Sequence, residues 1–249
     1  AKIVDELSGL SVLEIADPAR QSGNRTEAPC RLQAGRAGSE KGRMMEIVQG
    51  TDAWFAQRLG KVTCSRLADL MATTKTGYST SRANYMAQLV CERLTGRREE
   101  SYTNGAMQWG TETEPAARMA YEVSTGETVH EAGFILHPTI HGFGGSPDGL
   151  IGDKGMVEIK CPLTATHIGW IRGKKTPPKH KAQMQGLMMV CQREWCDFIS
   201  YDPRLPEHLQ LFVVREVFDA DYCKKLTDEV KSFLLELNVM ESELSLKAA

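Results

Sequence analysis

Ser146-Pro147-Asp148-Gly149-Leu150, followed after a short gap by Val157-Glu158-Ile159-Lys160-Cys161-Pro162, is the stretch that decides how this chain folds. The first segment has the residues of a tight turn, and Gly152-Asp153-Lys154-Gly155 between the two segments predicts a second turn. We therefore predict a β-hairpin in which residues 149–151 pair with residues 156–160.

The spacing of charged residues on the second strand points to chemistry. Residues i and i+2 of a strand lie roughly 6.6 Å apart on one side, so Glu158 and Lys160 project together while Ile159 faces the core. A closed hairpin would return that face to Asp148, bringing two carboxylates and one ammonium together. Carboxylates bind Mg²⁺, which can activate water for phosphodiester hydrolysis, and Lys160 would orient the water or offset charge on the phosphate. Taken separately, the same residues are also compatible with an ordinary turn and a solvated salt bridge.

Composition excludes several classes of protein. The 249 residues carry 30 Lys+Arg and 32 Asp+Glu, a formal charge of −2, and are 41% hydrophobic, the balance of a globular protein rather than a basic nucleic-acid-binding tail. No apolar run reaches the 18 residues of a membrane span. An odd number of cysteines without a C-x-x-C pair predicts reduced thiols: Cys30, Cys64, Cys91, Cys161, Cys191, Cys196 and Cys223.

The N-terminal part differs from the rest of the chain. Residues 1–43 are rich in Gly, Ser, Ala and Arg and show no sustained periodicity, whereas patterned sequence begins after Met44-Met45. We expect residues 1–43 to be a poorly ordered extension of doubtful origin and residues 44–249 to form a single domain.

Hydrophobic periodicity and turn residues predict an α/β (α+β) domain with one central mixed β-sheet flanked by helices. Predicted helices cover 51–59, 65–73, 81–94, 111–123, 165–173, 181–191 and 219–243. Predicted extended segments, besides the hairpin, cover 128–138, 142–146, 197–201 and 209–217.

Several motifs together resemble a known family. Asp148 followed by Glu158-Ile159-Lys160 resembles the PD-(D/E)XK nuclease motif, which alone is short. Further segments resemble the phage lambda exonuclease family (YqaJ-like viral recombinases) in the same order, over about residues 46–217. They are Asp52-Ala53-Trp54, Gln57-Arg58-Leu59-Gly60, Val62-Thr63-Cys64-Ser65, Trp109-Gly110 with Glu114, Ala182-Gln183-Met184-Gln185 and Tyr201-Asp202-Pro203-Arg204. The resemblance implies a restriction-endonuclease-like core.

The resemblance also implies roles for individual residues. Metal ligands would be Asp148, Glu158, the Ile159 carbonyl and Glu114, with Lys160 and Gln183 completing the catalytic group. The terminal 5′-phosphate would be received by Arg58, Thr63 and Ser65, a guanidinium and two hydroxyls suited to phosphate oxygens. A basic segment after the motif strand offers further contacts to the DNA backbone: Arg172, Lys174 and Lys175.

Each role has a simpler alternative at this point. Glu114 precedes Pro115 and could cap a helix that begins there. One of Gln183 and Gln185 could only satisfy buried backbone groups. Thr63 and Ser65 could be an N-cap pair, Arg58 a surface salt-bridge partner, and the basic segment a solvated loop.

The activity implied by the resemblance is a Mg²⁺-dependent exodeoxyribonuclease, with Mn²⁺ as a substitute. It would digest linear duplex DNA 5′-to-3′ from a 5′-phosphorylated end, releasing mononucleotides and leaving a 3′ strand for recombination. A ring-shaped homotrimer, a single-strand annealing recombinase as partner, and a phage or prophage setting in the bacterial cytoplasm are implied likewise. A sequence- or structure-specific endonuclease and a non-catalytic DNA-end-binding module remain alternatives.

Overall fold

The computed structural model describes residues 48–98 and 105–246. The predicted extension over residues 1–43 and the predicted domain start at Met44 lie outside the described residues, so the domain boundary stays a prediction.

The first described segment is mainly helical. It contains helix α1 (Asp52–Arg58), strand β1 (Val62–Thr63), a 3₁₀ turn (Cys64–Arg66), helix α2 (Leu67–Leu70), the small hairpin β2 (Thr73–Thr74) and β3 (Gly77–Tyr78), and helix α3 (Thr80–Thr95). The single helix predicted over 65–73 is wrong. The chain there forms a 3₁₀ turn and one α-helical turn, and the β-branched pair Thr73-Thr74 then joins the β2–β3 hairpin.

Helix α4 (Gly105–Thr125) extends well beyond the predicted 111–123. It passes through Pro115, which lacks the N–H that would bond to the carbonyl of Thr111. Ala117 and Tyr121 on this helix are fully buried. Burial of that face stabilises a helix that proline by itself would disfavour.

Where a single mixed sheet was predicted, the described residues form two mixed sheets besides the β2–β3 hairpin. Strands β6 (Gly149–Ile151), β7 (Gly155–Lys160), β8 (Trp195–Tyr201) and β9 (Leu211–Val217) form the larger sheet in that order, with only β7 and β8 parallel. Strand β1 pairs parallel with β5 (Phe143–Gly145), which also pairs with β4 (Ile135–Leu136). The predicted hairpin is present, with Gly149 opposite Val157.

The extended segment predicted over 128–138 forms little regular sheet. Only β4 and an isolated bridge between His130 and Leu150 pair with other strands. Between these two pairings the backbone is bonded by a side chain instead of a strand: Nε2 of Gln49 donates to the carbonyl of Ala132 at 2.9 Å.

Helices cover both faces of the larger sheet. The remaining helices are α5 (Thr164–Gly173), α6 (Pro178–Cys191) and α7 (Ala220–Leu246). Pro178 occupies the first turn of α6, where a missing N–H costs nothing, so α6 begins three residues before the predicted start. One face of the sheet, through Met156, Cys196 and Phe198, shares a core with α6 and α7, and the other, through Val157, Ile159 and Ile199, shares one with α4.

This arrangement is the predicted α/β class with helices flanking mixed sheets. Since side chains alternate along β7, Glu158 and Lys160 lie on the same face as Met156, toward α6. No helix in the described ranges has both the length and the apolar character needed to cross a membrane.

Candidate active site

Asp148 is held against the middle of the larger sheet. It directly precedes β6, and its Oδ2 accepts a hydrogen bond from the backbone N–H of Ile159 at 2.7 Å. Gly149 next to it has no room for a side chain, because a Cβ there would lie 2.1 Å from Cγ1 of Val129. The turn sequence thus places a carboxylate beside β7.

Glu158 is a carboxylate buried inside the protein. It is 0% exposed, and its Oε2 has no hydrogen-bond or ion-pair partner within the described ranges. Its Oε1 forms an ion pair with Nζ of Lys160. Burial raises the pKa of Glu158 to about 7, although the Lys160 ammonium opposes this shift. A buried carboxylate with unused lone pairs is a site suited to a cation.

The Lys160 ammonium lies among oxygen atoms. Besides Glu158, its Nζ contacts the Ile159 carbonyl at 3.0 Å and Oδ2 of Asp148 at 3.7 Å. Burial lowers the pKa of Lys160, but the charges of Glu158 and Asp148 outweigh that effect and raise the pKa above its usual value. Lys160 is therefore charged, and its cation contacts three of the four groups predicted to bind metal.

Glu114 reaches this centre from α4. Arg118, one helical turn later, donates from Nη2 to Oε1 of Glu114 at 3.1 Å and to the Asp148 carbonyl at 3.5 Å. Burial, followed by the charge of Asp148, raises the pKa of Glu114 to about 7. Since α4 continues through Pro115, the helix-cap alternative for Glu114 is wrong. Arg118 was not predicted, although its i+4 spacing from Glu114 was visible in the sequence.

The two glutamines of α6 differ in their surroundings. Gln185 is buried and satisfies the backbone: its Nε2 donates to the Val217 carbonyl at 2.8 Å, and its Oε1 accepts from the Asp219 N–H at 2.9 Å. Gln183 is partly exposed. One turn earlier, His180 has its pKa lowered to about 4 by burial and then by the charges of Lys160 and Lys179. Because the His180 ring stacks on Phe198, which lies opposite Glu158 in the sheet, the first turns of α6 lie over the sheet face that carries Lys160.

The donor set fits a hard cation. Asp148, Glu158 and the Ile159 carbonyl converge on one ammonium, and oxygen ligands are those Mg²⁺ prefers. Glu114 is joined to this set through Arg118 rather than through the Lys160 ammonium. In residues 48–98 and 105–246, no group of three His, Cys, Asp or Glu side chains is arranged as a metal cluster. The two carboxylates and the carbonyl are thus the residues that could hold an ion.

A second polar cluster lies beside the first. Arg58 stacks on Trp54, with Cζ 4.0 Å from the ring centroid, and its Nη1 is 3.5 Å from Oγ of Ser146. The Trp54 indole N–H also donates to that hydroxyl, at 2.9 Å. Burial lowers the pKa of Arg58, but from so high a value that the guanidinium stays charged. Within the described ranges Arg58 has no carboxylate partner, contrary to the salt-bridge alternative.

Thr63 ends β1 opposite Gly144 of β5, and Ser65 lies in the 3₁₀ turn that follows β1. Their hydroxyl oxygens are 3.3 Å apart, and neither caps the 3₁₀ turn through its side chain. A Cβ at Gly145 would lie 2.6 Å from Sγ of Cys64, which shows how closely the ends of β1 and β5 approach. Ser146 directly follows Gly145, and its hydroxyl, which contacts Trp54 and Arg58, connects the end of β5 with the second polar cluster. From the sequence, Ser146 was predicted only as a turn residue.

The basic segment lies between α5 and α6. Arg172 lies in the last turn of α5, which ends at Gly173, and Lys174 follows that glycine with a positive φ of 49°. Both cations are exposed, as is Lys175. None of the three pairs with a carboxylate in the part of the chain that the structure describes. The segment leads directly into the first turns of α6, which lie over the sheet face that carries Lys160.

Comparisons with known proteins agree with these observations. The YqaJ-like viral recombinase domain family matches residues 53–194. Two crystal structures of LHK-Exo, an alkaline exonuclease from Laribacter hongkongensis, are 53% and 52% identical to this chain, with TM-scores of 0.75. Each covers 80% of this chain and 98% of its own, and one is a complex with dAMP.

A more distant structure shows only the fold. A phage related exonuclease from Haemophilus somnus 129PT is 16% identical, has a TM-score of 0.59, and covers 76% of this chain and 96% of its own. A search of curated protein sequences gives no significant match. The matching family spans more than half of the chain, and the resemblance drawn from the sequence motifs is confirmed. The chain belongs to the YqaJ-like viral recombinase family, among the lambda-type exonucleases, and it is a DNA exonuclease.

Proposed function

We propose that the protein is a Mg²⁺-dependent 5′-to-3′ exonuclease that digests linear duplex DNA from 5′-phosphorylated ends, releases mononucleotides and leaves a 3′ single strand. One observation carries this proposal: a single short loop joins two groups of residues. One is the carboxylate centre, and the other, here called the phosphate-binding cluster, consists of Arg58, Trp54 and Ser146 with Thr63 and Ser65. Ser146, after β5, belongs to the phosphate-binding cluster, and Asp148, before β6, belongs to the carboxylate centre. A terminal phosphate held at one would place the adjoining phosphodiester near the other.

The carboxylate centre supplies the means of hydrolysis. Nucleases of this family are metal-dependent, and we propose that Asp148, Glu158 and the Ile159 carbonyl hold Mg²⁺, with Glu114 completing its surroundings. When bound, such an ion makes water a better nucleophile and offsets negative charge on the phosphate. The Lys160 ammonium adds positive charge next to the reacting phosphate. Gln183, which can donate and accept, orients the attacking water.

The phosphate-binding cluster sets the preference for an end. Arg58 is positioned by its stacking on Trp54, and the hydroxyls of Thr63, Ser65 and Ser146 complete a set of donors suited to a terminal phosphate. The exposed cations Arg172, Lys174 and Lys175 contact the DNA backbone without reading sequence. The complex of LHK-Exo with dAMP is consistent with mononucleotide release.

The wider setting is part of the same proposal. We propose a homotrimer that encircles duplex DNA, a single-strand annealing recombinase as partner, and a phage or prophage origin with activity in the bacterial cytoplasm. Family membership supports a recombination role.

The test uses a linear duplex with a 5′-phosphate at one end and a 5′-hydroxyl at the other. With Mg²⁺ or Mn²⁺, we expect the phosphorylated strand to be lost first as mononucleotides, and no loss without metal. Arg58→Ala should remove the preference between the ends. Arg66→Ala is the matched control, because Arg66 is a neighbouring cation that pairs with Asp69. Cleavage of covalently closed circles would instead identify an endonuclease, and an unchanged end preference in Arg58→Ala would refute the phosphate-binding cluster.

A further inference from the structure

His180 lies over the sheet face that carries the catalytic lysine. In the parallel pairing of β7 with β8, Phe198 is directly opposite Glu158, so their side chains share one face of the sheet, roughly 5 Å apart. The His180 ring stacks on Phe198, with ring centroids 5.4 Å apart and an interplanar angle of 29°. The imidazole is therefore a near neighbour of the Glu158–Lys160 pair, although it is distant from them in sequence.

One nitrogen of this imidazole has no partner. Nε2 of His180 is buried without a hydrogen bond in the described part of the chain, while the edge of Trp170 closes another side of the ring at 5.7 Å between centroids. Buried polar atoms in folded proteins nearly always have a hydrogen-bond partner, so an unpaired one calls for an explanation. Burial and the charges of Lys160 and Lys179 lower the pKa of His180 to about 4. The neutral ring keeps one nitrogen free to accept a hydrogen bond.

Lys160 is the natural donor for that nitrogen. Its ammonium contacts Glu158, Asp148 and the Ile159 carbonyl, the same oxygens proposed to bind Mg²⁺. A Mg²⁺ ion bound to these oxygens would lie close to the Lys160 ammonium, and two cations so close together repel one another strongly in a buried site. A metal that takes these oxygens must therefore displace the ammonium, which needs a new acceptor on the same face.

We propose that His180 is a positioning residue that receives the Lys160 ammonium at Nε2 when metal enters the carboxylate centre. This inference rests on the proposed metal-dependent function. The hydrogen bond holds Lys160 beside the reacting phosphate and keeps it from returning to the carboxylates. It also gives the orphaned nitrogen its partner.

The first test follows His180 itself and needs no substrate. In ¹⁵N-histidine-labelled protein, adding Mg²⁺ should change the Nε2 shift of His180, because an unprotonated nitrogen becomes a hydrogen-bond acceptor. The same titration of Lys160→Ala should leave that shift unchanged. If Mg²⁺ binds the wild-type protein and the His180 signal does not move, the inference is overturned while the metal site stands. If no metal binds, the proposed function fails and this inference with it.

The second test separates positioning from packing. His180→Phe keeps the aromatic stack but removes the acceptor, and we expect the Mg²⁺ concentration for half-maximal digestion to rise about ten-fold with little change in KM for DNA ends. His180→Gln, which restores an acceptor, should recover most of this loss. His141→Phe, at an exposed histidine, is the control and should behave as wild type. Wild-type metal dependence in His180→Phe, or a loss that follows thermal stability and is not recovered by Gln, would overturn the inference.

Discussion

Metal binding by this protein should depend steeply on pH, because two carboxyl groups at the candidate centre hold protons near neutrality. The pKa values of Glu158 and Glu114 are both raised to about 7, chiefly by burial. A raised carboxyl pKa means that the proton competes with the cation up to neutral pH. Affinity for a divalent ion must therefore increase as pH rises through 7.

The magnitude follows from the two pKa values. A group with a pKa of about 7 is about 10% ionised at pH 6 and about 90% ionised at pH 8. If both carboxyls must ionise, the apparent Kd for Mn²⁺ should fall by up to about 100-fold between these pH values, about ten-fold for each group. At pH 7 each is half protonated, so binding of one ion should release about one proton in total.

The assay is titration with Mn²⁺, with free Mn²⁺ measured by electron paramagnetic resonance and proton release measured in weakly buffered solution. Glu114→Gln should retain about a ten-fold pH effect and release about half a proton. Glu194→Gln, which alters an exposed carboxyl paired with Lys154 at the hairpin turn, is the control and should match wild type. A Kd that does not change between pH 6 and pH 8 would refute the reasoning. If the Kd of Glu114→Gln changes with pH as much as that of wild type, only the part assigned to Glu114 in metal binding is refuted.

Three further predictions concern the supports of the site. Gln185→Leu should lower the free energy of unfolding in urea by about 2–4 kcal/mol, because the backbone groups of Val217 and Asp219 lose their buried partner. Gln183→Leu should leave the free energy of unfolding nearly unchanged and slow DNA digestion about 100-fold. The reverse pattern would exchange their roles. Gly155→Ala should destabilise the protein by about 2 kcal/mol, since its Cβ would lie 2.2 Å from the Trp195 indole; an unchanged melting temperature would contradict this. Arg215→Ala should cost about 3–5 kcal/mol by leaving buried Asp197 without its guanidinium, and a loss below about 1 kcal/mol would show that Tyr121 suffices as its partner.

Elements with strong local signals were predicted well. The hairpin was recognised from its turn residues, and α3 and α7 differ from their predicted ranges by only a few residues. The division into two sheets was not predicted, because β1 and β5 have two and three residues and pair across a long stretch of chain. Segments this short carry no measurable periodicity.

The sequence by itself determined the local chemistry of this protein. Glu158 and Lys160 share a face because strand side chains alternate, and the turn residues place Asp148 at the start of the paired strand. Only the tertiary structure decided what surrounds them: Arg118 next to the Asp148 carbonyl, Ser146 next to Arg58, and His180 over Phe198. These contacts join residues on separate helices, strands and loops, and they depend on how α4 and α6 pack against opposite faces of the sheet. Burial set by that packing, rather than any motif, raises the pKa of Glu158 and leaves its Oε2 without a partner among the described residues.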